Sequence, residues 1–149
     1  MSDPVTFRQT TLAVCILRLK FPAGHEHEAL GREFGVNWPV APNTTAAGEG
    51  VKVLWLGPSE WVIEHLPATE VIARAARACG DTLHHVAEVS EGRVVFELEG
   101  PKAREVLSKG CSLDLHPRVF GAGQCAQTLL HHANILLEAC GSDRFRFYT

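Results

Sequence analysis

The chain has 149 residues, 46% hydrophobic and 21% charged, with a formal net charge of −3. That balance suits one globular domain, residues 1–149, with its own core, and excludes a counterion-releasing binder of nucleic acid. No apolar run approaches the roughly 20 residues of a membrane span, and the first residues lack the charged-then-apolar order of an export signal.

Met1–Thr11 is polar and reads as loose or partner-bound. Leu12–Lys20 is a strand, apolar at first and alternating from Leu17, and Pro22 and Gly24 end it. His25–Phe34 forms a short helix with Ala29, Leu30 and Phe34 near one face, and Gly35 is its stop. Asn37–Gly50, with two prolines and two glycines, reads as an exposed loop carrying Trp38. Val51–Leu56 and Trp61–His65 form a hairpin, turned by Gly57-Pro58-Ser59-Glu60, because proline presets the second turn position. Ala68–Cys79 carries the clearest helical stripe, Val71, Ile72, Ala75, Ala78 and Cys79, with Thr69 able to cap its start and Gly80 its end. Thr82–Val89 and Arg93–Glu99 are expected to pair as a hairpin across Ser90-Glu91-Gly92. Pro101 opens a helix to about Lys109, buried along Ala103, Val106 and Leu107. Cys111–Gly123 is a turn-rich connection, Gln124–His131 and Ile135–Cys140 a third hairpin, and Arg144–Thr149 a last strand. Helices and strands do not alternate regularly, so the class is α+β with mainly antiparallel pairing.

Little in the chain carries chemistry by itself. The five cysteines, Cys15, Cys79, Cys111, Cys125 and Cys140, are widely spaced, with no CxxC pair. They read as buried small residues of a chain kept in the reducing cytoplasm, not as a disulfide frame or a zinc site. Adjacent histidines on a strand face opposite ways, so neither His84-His85 nor His131-His132 shares a metal easily. His25 and Glu28 share a helix face but offer two ligands where a stable zinc site takes four. Cys111, Asp114 and His116 are the compact Cys/Asp/His cluster, and a loop can hold a thiolate–imidazole pair. The preferred reading is structural: Asp114 caps a turn, His116-Pro117 fixes a bend, and Cys111 is buried. GAGQC at Gly121–Cys125 lacks the full GxGxxG pattern and a P-loop lysine. No catalytic, cofactor-binding or metal residue is assigned. Trp38 is expected to anchor a partner, since a loop tryptophan needs a pocket for its large apolar area. Arg93, Arg104 and Arg118 could meet an acidic ligand, although solvated or interfacial charge is the preferred reading.

Two stretches are more particular than a generic core: LWLGPSEWVI at Leu54–Ile63, and GRVVFELEGPKAREVLSKGCSLDLHPRVFGAGQCAQTLL, which ends at Leu130. With PNT at Pro42–Thr44, they make the chain, from about Ala29 to Tyr148, resemble the gamma subunit family of heterotetrameric sarcosine oxidase. The resemblance implies the folate-binding fold of the glycine cleavage T-protein. It implies alpha, beta and delta partner subunits, with FAD, FMN, NAD and tetrahydrofolate on alpha and beta and zinc on delta. It implies a part, without an active site of its own, in oxidising sarcosine to glycine and hydrogen peroxide while passing the one-carbon unit to tetrahydrofolate. Similar subunits serve complexes acting on dimethylglycine or N-methylglutamate. Trp38 and the loop residues Cys111, Asp114, His116, Pro117 and Arg118 are the expected partner contacts. The alternative is a stand-alone folate-type binding domain with Arg93 and Arg104 on the carboxylates of a glutamate tail. Family chains run on past a strand like Phe145–Tyr148 into a helix rich in Phe, Leu and Trp, whereas this sequence stops at Thr149. The expectation is a partner covering that side of the sheet, a trimmed fold or a shortened variant.

Overall fold

The computed structural model describes residues 5–89 and 94–149. In chain order its elements are β1 (Thr6–Thr10), β2 (Val14–Leu19), α1 (His25–Phe34), β3 (Thr45–Gly48), β4 (Val51–Gly57), β5 (Glu60–Glu64), α2 (Ala68–Cys79), β6 (His84–Glu88), β7 (Val95–Glu99), α3 (Ala103–Ser108), β8 (Cys125–Leu130), β9 (Ala133–Ala139) and β10 (Arg144–Tyr148). All the pairings are antiparallel, and the class is α+β. Two compact units result, one of Leu12–Gly92 and one of Met1–Thr11 with Arg93–Thr149.

The Leu12–Gly92 unit is a sheet ordered β3-β4-β5-β2-β6 with two helices. Strand alternation sends Cys15, Leu17, Leu19, Val51, Val53, Trp61 and Ile63 into one core with Leu30 and Phe34 of α1 and Val71, Ala75, Ala78 and Cys79 of α2. Each valine, leucine, isoleucine or phenylalanine among them is worth roughly 1.5–3 kcal/mol when fully buried. Helix α1 ends at Gly35, whose left-handed φ of 68° donates its N–H to Gly31. Helix α2 starts differently from expectation: Pro67 is the cap residue and no side chain caps the helix, so Thr69 lies inside the first turn. Ile72 remains 51% exposed because the buried stripe runs through Val71, Ala75 and Ala78. The loop expected over Asn37–Gly50 contains β3, whose TAAG sequence gives no apolar alternation to read.

The other unit is a sheet ordered β1-β7-β10-β9-β8. Leu98, Leu137, Ala139, Phe145 and Phe147 face Ala103 and Leu107 of α3 and Leu115 and Phe120 of the following loop. Val106, expected on the buried edge of that helix, is 43% exposed. Two expectations are corrected. Strands β6 and β7 are not a hairpin: β6 pairs with β2, and β7 pairs with β1 and β10 in the other sheet. The turn assigned to Ser90-Glu91-Gly92 lies outside the described residues. The second correction concerns the N-terminal segment, where Thr6–Thr10 is a strand, not a loose arm. It is held by register, with Phe7 stacked on Phe96 at 5.2 Å, and by Arg8, whose Nε donates to Glu97 Oε2 at 2.9 Å.

Arg8, Glu97 and Arg146 stand side by side across β1, β7 and β10. Burial alone would raise the Glu97 carboxyl, but hydrogen bonds and charge from Arg8 and Arg146 outweigh it and hold it below its ordinary 4.5. A depressed folded-state pKa stabilises the fold above the unfolded value and loses that contribution as pH falls through the folded one. Glu97→Gln should therefore flatten the acid limb of the stability curve below pH 4.5, leaving the Arg8–Glu97–Arg146 ladder without its charge. Urea midpoints from pH 7 to pH 3 would measure it, and an unchanged acid limb would assign acid sensitivity elsewhere.

Candidate functional site

The loop after α3 is held from both ends. Gly110 accepts the His131 N–H at 2.6 Å, and a Cβ on it would meet the His131 ring at 2.6 Å, so a side chain there would have to displace that imidazole. Cys111 is buried, bridges to Leu130, and has its Sγ 3.7 Å from Thr128 Oγ1. Asp114 Oδ1 accepts the His116 N–H at 3.0 Å, the turn-capping role its position suggested. His116 Nδ1 accepts the Arg118 N–H at 3.1 Å, and the His116 carbonyl accepts from Val119 and Phe120. No hydrogen bond joins Cys111 to His116 or Asp114, so a thiolate–imidazole pair is not formed. Leu115 and Phe120 are buried, whereas His116, Pro117, Arg118 and Val119 between them form an exposed crest.

Arg104 organises this loop. Its Nη1 donates to the carbonyls of Leu115 at 2.6 Å and Phe120 at 2.7 Å, and its Nε donates to Ser142 at 3.1 Å. The guanidinium also lies 5.0 Å from the Phe145 ring centroid. These donors are committed to backbone oxygens within the unit. Arg93, the other candidate anion contact, lies outside the described residues.

In the Leu12–Gly92 unit, the chain after α1 folds back against the helix. The approach needs Gly31: a Cβ there would sit 2.8 Å from the Val36 carbonyl oxygen. An open cleft of about 460 Å³ lies between them, lined by His27, Glu28, Gly31, Arg32, Val36, Asn37, Trp38 and Val40. Trp38, expected to anchor a partner, packs within its own unit. It is 6% exposed, its ring 5.5 Å from Phe34 and 5.3 Å from Trp61, whose own indole N–H donates to the Pro39 carbonyl at 2.7 Å. His27 meets the same Trp61 ring edge-on at 5.6 Å. Trp38 Nε1 and His27 Nε2 are both buried without a hydrogen-bond partner among the described residues. On the rim, Arg32 pairs with Glu28 at 3.1 Å.

Beside the cleft, Glu26 is wholly buried and accepts the Ala23 N–H through both carboxylate oxygens. Burial, then the nearby Glu26 carboxylate, pushes the Cys79 thiol up to about 11. It is a packing residue and a poor nucleophile at neutral pH. In the sequence, His25 and Glu28 give α1 two metal-type ligands and no sign of a cleft; Gly31 inside the helix is the signal that something approaches closely. Among the described residues, no three His, Cys, Asp or Glu side chains cluster as a metal site, and no helix is long and apolar enough to cross a membrane.

A model of the family described as "Sarcosine oxidase, gamma subunit family" matches residues 21–148. The chain belongs to that family. It is 34% identical to sarcosine oxidase subunit gamma of Corynebacterium sp. (strain U-96) over 143 residues, 95% of this chain and 70% of that one. It is 35% identical to the subunit gamma of Corynebacterium sp. (strain P-1) over 140 residues, 93% of this chain and 69% of that one. The backbone superposes with a TM-score of 0.85 and 33% identity on a chain of the heterotetrameric sarcosine oxidase from Corynebacterium sp. U-96 in complex with pyrrole 2-carboxylate, covering 97% of this chain and 75% of that one. A more distant likeness, TM-score 0.65 at 12% identity, is to the glycine cleavage system aminomethyltransferase T from Bartonella henselae, over 97% of this chain and 41% of that one. It establishes the shared fold. The family match includes the loop that Arg104 organises and the α1 cleft.

Arg104→Met keeps much of the side-chain volume and removes the three donors. It should lower stability by about 1–3 kcal/mol and make the segment Leu115–Phe120 the first site of limited proteolysis. A variant with wild-type urea midpoint and cleavage pattern would show that the loop holds itself without the guanidinium.

Proposed function

We propose that this chain is the gamma-type subunit of a heterotetrameric, sarcosine-oxidase-type flavoenzyme, and that it contributes fold and contact surface, not catalysis. The observation that carries the reading is the family match over residues 21–148, joined to a TM-score of 0.85 against a chain of such a heterotetramer. Alpha, beta and delta subunits would then be the partners. FAD, FMN, NAD and tetrahydrofolate would reside on alpha and beta, and zinc on delta. The complex would oxidise an N-methyl amino acid, sarcosine in the first instance, and hand the one-carbon unit to tetrahydrofolate. Five free cysteines fit residence in the reducing cytoplasm.

The contact surface we favour is the crest of the Asp114–Arg118 loop. Asp114, His116, Pro117 and Arg118 are exposed, while Cys111, Leu115 and Phe120 anchor the loop beneath them. Because its hydrogen bonds are made in advance, docking costs little ordering entropy. Trp38 serves this reading as a buried wall of the α1 cleft. The alternative, a stand-alone folate-type binding domain, draws no support from Arg104, whose Nε and Nη1 already hold three carbonyls.

Co-expression of the tagged chain with its genomic neighbours tests the reading. The expected eluate is a yellow complex of four kinds of subunit, with flavin absorbance that stays with the large partners when the chain is stripped off. A colourless chain eluting alone, with no partner retained, would overturn it.

A further inference from the structure

We propose that the crest of the Asp114–Arg118 loop docks on an aspartate or glutamate side chain of a partner subunit, held by the Arg118 guanidinium and the outer ring N–H of His116. The inference rests on the subunit reading above and names the chemistry of its contact. Six of the described arginines pair with a glutamate, and Arg104 holds carbonyls. Arg118 has no such partner among the described residues, although it stands exposed on a loop whose shape is fixed. The acid nearest to it in sequence, Asp114, turns its Oδ1 to the His116 N–H at 3.0 Å and makes no ion pair with Arg118. Arg144, the other described arginine without a pair, lies outside the loop, at the start of β10. The crest therefore presents a cation that its own chain leaves unmatched.

His116 supplies the second donor. Its Nδ1 accepts the Arg118 backbone N–H at 3.1 Å, so that nitrogen carries no proton and the ring hydrogen sits on Nε2. The same bond holds the imidazole against the Arg118 backbone, which keeps the ring donor and the cation next to each other. A carboxylate brings two acceptor oxygens and one negative charge, and so answers both groups. A neutral carbonyl would leave the charge unmatched. The crest stands outward between buried Leu115 and Phe120, whereas sites for free small molecules are concave. An ion pair open to water contributes little. A protein surface that covers Pro117 and Val119, the latter 51% exposed, would remove water from the pair and make it stronger and more selective. The occupant that fits is therefore a carboxylate carried on a protein surface, not a free anion.

The test uses the complex co-expressed with the genomic neighbours. Arg118→Lys keeps the cation and supplies an amine, and a water-soluble carbodiimide joins an amine to a carboxylate only where the two touch. Peptide mass spectrometry of the treated complex should show position 118 amide-linked to an Asp or Glu of a partner subunit. Arg118→Glu should lower the share of the chain that stays with tagged partners through a salt wash by at least ~10-fold. His116→Asn, which keeps an acceptor for the Arg118 N–H and removes the outer donor, should lower it by about 2- to 10-fold. Reversing the cross-linked partner residue to arginine should restore retention of the Arg118→Glu chain. The cross-link stands even where a charge reversal harms folding. An assembled complex in which position 118 links only to Asp114 of its own chain, or to nothing, would overturn this proposal alone, as would wild-type retention of Arg118→Glu. A wild-type chain that retains no partner would overturn the subunit reading, and this proposal with it.

Discussion

One guanidinium, that of Arg104, ties the loop of the C-terminal unit to its sheet. The stretch between α3 and β8, residues 109–124, is entropically expensive to order, and each backbone group in it needs a partner. Arg104 answers three carbonyls at once, at Leu115, Phe120 and Ser142, and rests against the Phe145 ring. Those bonds set Leu115 and Phe120 into the core and leave the residues between them standing outward. The guanidinium thereby holds the shape of the loop.

The other unit shows the same economy with a missing side chain. Gly31 weakens α1 by helix propensity, by about 1 kcal/mol against alanine, yet it admits the Val36 carbonyl and with it the turn that carries Trp38. From that approach come the packed Phe34, Trp38 and Trp61 rings and the cleft beside them. In both units the site-like features lie where the chain leaves a helix, not on the strands.

Much of this was legible in the sequence, for reasons that particular residues make plain. Both long helices matched their expected spans because apolar spacing and a following glycine mark each one. The β4–β5 and β8–β9 hairpins were visible from alternation around turn residues. Strands β1 and β3 were not, since TFRQT is exposed almost throughout and TAAG has no alternation; sheet partners, not propensity, make them strands. Pairing β6 with β7 followed proximity in sequence, but their true neighbours are β2, β1 and β10, contacts of long sequence separation that no local pattern reports. The pocket that Trp38 needs was not legible because its surroundings are loop-like in composition, and only the close approach at Gly31 explains its burial within the unit. Asp114 was legible as a turn cap because a carboxylate two residues before an N–H needs no tertiary context.

Under the proposed role, this chain presents a surface already shaped, the crest of the loop that Arg104 holds. Hydrogen–deuterium exchange on the chain alone and in its assembled complex tests that most directly. A preformed docking loop predicts slow exchange at Val119 and Phe120 in the free chain, where both donate to the His116 carbonyl, and further slowing across residues 114–119 on assembly. A loop that exchanges freely when alone, or that is unchanged by assembly, would contradict the account.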